Sequence, residues 1–135
     1  MTNPVAVVRE AFERLQQGDA DACAERLTEN FIVNLPGLPE PLHGREIWKF
    51  GVQAMRDGFP DLQIAIEDIF GADDRVAVRL HFSGTHTGTF QDVPATHRQV
   101  RFTSVDIYRV EGDKIAEEWV SPDMMGLMQQ ITVSL

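Results

Sequence analysis

The chain of 135 residues and 15.2 kDa is sized for one domain spanning 1–135, and a fold of this length buries roughly two-thirds of its unfolded surface. Its composition, 43% hydrophobic and 24% charged, is that of an ordinary globular protein and argues against disorder. A formal charge of −9, from 12 basic and 21 acidic residues, repels phosphate backbones, so no nucleic-acid partner is expected.

Near the N-terminus, Arg9, Glu10, Glu13 and Arg14 interrupt the apolar residues, which is the pattern of neither a signal peptide nor a membrane span. A cytoplasmic location and no membrane partner are the expectation. Asn3-Pro4 opens a helix whose Val5, Val8, Phe12 and Leu15 share a face and which Gly18 closes. Asp19 caps a second, shorter helix running through Leu27. Cys23, the one cysteine, lies between Ala22 and Ala24 at a helical packing position and leaves no intrachain disulfide. Phe31 to Asn34 reads as a short strand, and the prolines of Leu35 to Pro41 make a loop. A third helix from about Arg45 to Arg56 places Ile47, Phe50 and Ala54 on one side, with Trp48 and Met55 adjoining.

From there the chain reads mostly as strand. Leu62, Ile64 and Ile66 alternate with polar or small residues, Gly71 to Asp74 turns, and Val76, Val78, Leu80 and Phe82 alternate with Arg75, Ala77, Arg79 and His81. Gly84 and Gly88 bracket a bend around His86, and a loop through Pro94 leads to a strand beginning near Gln99. Val105 to Val110 and Lys114 to Val120 form a hairpin about Glu111-Gly112-Asp113. Ser121-Pro122-Asp123 then starts a short helix with Met124, Leu127, Met128 and Ile131 on one face. Helices first and a meander after predict an α+β, cone-shaped fold: three N-terminal helices packed on a strongly curved, mainly antiparallel sheet, with a short C-terminal helix. The outer face of such a sheet, carrying residues such as Val78, Leu80 or Val105, predicts a homodimer.

A carboxylate at the mouth of the last helix, beside Trp119 and a Met-rich face that includes Met125, suits acid/base chemistry on an apolar ligand, and makes Asp123 the first catalytic candidate. The bland alternative is that Asp123 only satisfies the helix end. With a two-residue turn at Gly112-Asp113, Tyr108 lies opposite Glu117 and Asp106 opposite Trp119, so that two carboxylates and two aromatics share one sheet face, which binds substrate if it is the concave one; a turn one residue longer changes the pairing. Glu117 equally suits a structural pair with Arg109 or Arg79. His86, at the glycine-flanked bend, is the second catalytic candidate; His81, Asn34 and Met125 complete the proposed substrate contacts. His81 and His86 have neither the helical spacing nor the carboxylate partners of a metal centre, so no metal and no cofactor are expected.

The ordered set Leu42-His-Gly44, Phe59-Pro-Asp-Leu62, Gly84-Thr-His-Thr-Gly88, Pro94-Ala-Thr96, Asp106-Ile-Tyr-Arg109, Gly112-Asp-Lys-Ile115, Glu117, Trp119, Asp123 and Gly126-Leu127 resembles the SnoaL-like polyketide cyclases, or ester cyclases, of the nuclear-transport-factor-2-like superfamily. The resemblance runs from about residue 5 to 130. It implies intramolecular aldol closure of a polyketide ester, without metal or Schiff-base lysine, and carries the family's acid/base aspartate onto Asp123. The same cone hosts isomerases, dehydratases, epoxide hydrolases and non-catalytic binding proteins for hydrophobic small molecules, which stay open as alternatives. His97 and Asp92 stand where the family commonly has glycine, which predicts a loop with its own conformation.

Overall fold

In the computed structural model, which describes residues 3–132, α1 (Pro4–Gln16) starts where Asn3 accepts the N–H groups of Val5 and Ala6 and Pro4 fills the first turn. Its buried stripe is Val7, Val8, Ala11, Phe12 and Leu15. Gly18, at φ 83°, turns the chain into α2 (Ala20–Ala24), which Asp19 caps through Ala22 N–H. The second helix stops short of Leu27 because that residue enters β1 (Leu27–Asn34), where pairing with Ile115 outweighs local helical preference. β2 (Leu42–His43), a two-residue edge strand that the sequence reading did not foresee, pairs with Ile32 and Val33 and delivers the chain to α3 (Arg45–Gly58).

The face that α3 turns inward is not the expected one. Ile47 and Phe50 are 41% and 77% exposed, whereas Trp48 and Val52 pack against the core. The helix offers two apolar stripes, and its docking selects the Trp48 stripe. Its C-terminal end meets the bend after β4 so closely that a Cβ on Gly88 would stand 1.8 Å from the Asp57 carbonyl oxygen, so only glycine fits there.

β3 (Gln63–Ala72), β4 (Arg75–Thr85), β5 (Gln99–Glu111) and β6 (Lys114–Trp119) complete a curled, unclosed sheet in the order β2-β1-β6-β5-β4-β3. Every neighbouring pair is antiparallel except β1 and β6. The inner face of β4 carries Val76, Val78 and Leu80, all essentially buried, which corrects the expected outer placement of Val78 and Leu80; Val105 does face out, 53% exposed, with Ile107 beside it in the outward row. Short α4 (Met124–Thr132) closes one end. No helix among the described residues is long and apolar enough to cross a membrane.

Two apolar clusters fill the concave side. One joins α1 to Val76, Val78, Tyr108, Val110 and Ile115; the other joins Phe59, Phe90, Val100 and Phe102 to Leu127 and Ile131 of α4. Along the inward row of β5, Ser104 and Asp106 lie between them. A polar interruption of an otherwise apolar inner row is costly unless its groups are hydrogen-bonded or used.

Candidate functional site

Asp106 is 4% exposed and its carboxylate is well served: the Ser104 hydroxyl and the Ser121 N–H donate to Oδ1, and the Tyr108 hydroxyl donates to Oδ2 at 3.1 Å. Burial raises its pKa, and those three donors pull in the opposite direction. Tyr108 is itself buried, edge-on to Phe12 with ring centroids 5.7 Å apart, and loss of its proton is strongly disfavoured by burial and by Asp106.

Across the hairpin from Tyr108 stands Glu118, not Glu117. The turn is the two-residue one, with Glu111 opposite Lys114, but the register slips between Arg109 and Val110. Ala116 is the extra residue: it is buried beside Ile115 instead of alternating with it, and every later side chain of β6 changes face. Glu118 is therefore buried, 6% exposed, and no hydrogen bond to its carboxyl is found among the described residues. Burial first, then the charge of Asp106, push its pKa to about 8, so it is protonated at neutral pH. It borders a cavity of about 50 Å³ together with Phe12, Phe31, Trp48, Tyr108 and Cys23. The Cys23 thiol, pushed up to about 12 by burial and by Glu118, is no nucleophile.

The same slip sends the rest of the expected face outward. Glu117 accepts from Arg109 Nε at 3.1 Å and from Asn34 Nδ2 at 3.0 Å, while Arg75 lies over the Trp119 ring at 5.2 Å. The expected shared face of Asp106, Tyr108, Glu117 and Trp119 is thus split: the first two point in, and Glu117, Trp119 and Asn34 form a network on the convex side. Arg109 is the structural partner that the sequence offered for Glu117. His81 pairs with Thr103 in the outward row of β4 and is half-buried. His86 is fully buried against Phe59, and its Nδ1 accepts the Thr96 N–H at 3.2 Å, which leaves the proton on Nε2, where it has no partner.

Asp123 sits at the start of α4, exposed, held by its own N–H to the Thr103 carbonyl and by Gly126 N–H to its Oδ1, both at 2.9 Å. Ser121 N–H on Asp106 and the bridge from Pro122 to Ser104 tie the same segment to β5. A Cβ on Gly126 would lie 2.2 Å from Asp123 Oδ2, so the glycine makes room for this carboxylate. Met125, next along, is 74% exposed. Among the described residues no group of three or more His, Cys, Asp or Glu side chains could hold a metal ion.

The sequence profile of the SnoaL-like polyketide cyclases matches residues 6–131. The chain belongs to this family. Among solved structures, a provisionally assigned SnoaL-like polyketide cyclase from Jannaschia sp. CCS1 aligns over 100% of this chain and 99% of its own, with TM-score 0.85 and 21% identity. IdmH of Streptomyces antibioticus, named as a candidate polyketide cyclase, aligns over 98% and 100%, with TM-score 0.85 and 28% identity. AclR of Streptomyces galilaeus, named as a candidate hydroxylase, aligns over 95% and 80% at 23% identity and TM-score 0.85. No curated protein sequence matches. In this SnoaL-like chain, His97 and Asp92 adopt left-handed backbones, φ 60° and 67°, the conformation that favours glycine. Sequence reasoning missed Glu118 and Ser104. The available signal for Glu118 was the consecutive apolar pair Ile115-Ala116, which breaks the alternation of β6.

Proposed function

We propose that this SnoaL-like protein is a cofactor-independent enzyme that closes a ring by intramolecular aldol condensation of an apolar polyketide ester, with Asp123 as general acid/base. The observation that carries the reading is the fit of Asp123 against Gly126: a carboxylate held at both its backbone and Oδ1, beside a glycine whose missing side chain leaves it space. Asp106 acts as a positioning residue, anchoring the 121–123 segment through Ser121 N–H. In the reaction the Asp123 carboxylate takes a proton from a carbon flanked by carbonyls, the new C–C bond forms on the attacked ketone, and the same carboxyl returns the proton to its oxygen. One C–H is exchanged for one O–H, and nothing is oxidised. The resting cavity of about 50 Å³ holds water-sized guests only, so substrate enters by displacing Trp48 and α3.

Asparagine caps a helix as well as aspartate but is no base, so Asp123→Asn separates the two roles. It is expected to keep the melting temperature and lower turnover of a polyketide β-keto ester by about 10²-fold or more. Full activity in that variant would overturn the assignment and move the chemistry to Asp106 or His86. We propose in addition that the protein works as a homodimer through the outer face of the sheet.

A further inference from the structure

We propose that Glu118 is a hydrogen-bond donor to a ketone or ester carbonyl of the ligand, forming a polar subsite at the buried end of the concave chamber. The inference deepens the proposed function, on which its choice of ligand rests. Glu118 is 6% exposed and lines the cavity together with Trp48, and among the described residues burial and the charge of Asp106 act on its carboxyl, with no hydrogen bond to it. Asp106 on the neighbouring strand has three donors, whereas Glu118 has none, so the environment of the pair favours the proton on Glu118 over Asp106. A protonated carboxyl on the cavity wall, without a protein partner for its O–H among the described residues, is a strong donor, and a ligand carbonyl is the acceptor that uses it without importing charge. A carboxylate ligand is disfavoured, because the charge of Asp106 already opposes a second negative charge at Glu118.

The ionisable groups around Glu118 are Asp106 and Tyr108 from β5 and Cys23 from α2, with Arg56 of α3 beyond Cys23. From α1 and β1 the cavity receives only Ala11, Phe12, Leu15, Leu27 and Phe31. The Tyr108 and Cys23 protons stay in place through neutral pH, so the titration of Glu118 near 8 is the change that a binding experiment reads.

The test compares 1-tetralone with tetralin, a matched pair differing in the carbonyl, by isothermal titration calorimetry at pH 6 and pH 9. The wild-type protein is expected to prefer the ketone at pH 6 and to lose about tenfold of that preference at pH 9, where roughly a tenth of Glu118 remains protonated. Glu118→Gln keeps a donor at every pH and is expected to retain the preference without the pH dependence; Glu118→Leu should bind both compounds alike. A wild-type ketone preference that is equal at the two pH values, or one that survives in Glu118→Leu, overturns the subsite, as does binding of neither compound. The wild-type pH comparison stands even if the leucine variant does not fold. Intact ketone preference without turnover of any polyketide ester would sink the proposed reaction and leave the subsite standing; turnover without ketone preference would do the reverse.

Discussion

A carboxyl that stays protonated at neutral pH leaves a signature on folding. Glu118 titrates at 4.5 when unfolded and near 8 when folded, so between these values the unfolded chain has released a proton that the folded one retains. Stability is therefore greatest below pH 4.5 as far as this group is concerned, and falls through the window up to about 8, with a limiting slope of about 1.4 kcal/mol per pH unit. Melting temperatures measured from pH 5 to 8 should decline in the wild type and decline less in Glu118→Gln; parallel curves would contradict the placement. A second residue-scale expectation concerns His97, whose φ of 60° strains any residue with a side chain. His97→Gly should be neutral or stabilising by up to about 1 kcal/mol in urea denaturation, and His97→Val destabilising by about 1–2 kcal/mol. That Asp106 and Tyr108 share a face followed from their spacing on one strand; that this face is the inner one is seen only in their burial. The partner across the hairpin did not follow, because one extra buried residue, Ala116, decides which of two adjacent glutamates faces the chamber, and a bulge is a tertiary choice with little local cost.

Elements set what the chamber can admit. α1 was readable in its bounds and most of its stripe because its caps and apolar spacing agree, although Val7 and Ala11 join the buried face and Val5 is only partly buried, whereas α3 carries two apolar stripes and local periodicity does not choose between them. The choice falls to the short β2 ladder and Gly44, which fix the angle at which α3 starts. With Gly58 as its one buried residue, α3 is held mainly by half-buried side chains, of which Trp48 covers the cavity. Trp48→Ala should enlarge the cavity, cost about 2 kcal/mol of stability and speed association of 1-tetralone in stopped-flow experiments. Unchanged association would mean that ligand does not enter past this side chain.

For the molecule as a whole, the outward row of β5 leaves Val105 and Ile107 53% and 42% exposed, a modest apolar surface on the convex side. Light scattering at micromolar concentration is expected to give a dimer, and Val105→Lys a monomer; a wild-type monomer would refute the assembly. The architecture itself was legible from the order of helices and strands, although the sequence did not indicate that the first and last strands of the main sheet run side by side. That parallel pairing, sealed where the Asn34 side chain meets Glu117 from 83 residues away, has a kinetic side. On a ribosome, β1 emerges early and has no long strand to lie against until β6 has been synthesised, since β2 offers two residues. The first helix is in the same position, because the strands β3, β4, β5 and β6 on which it rests are made later. Nearly the whole chain must therefore leave the exit tunnel before its N-terminal third gains a stable place, so folding is expected to be late, cooperative and limited by long-range closure.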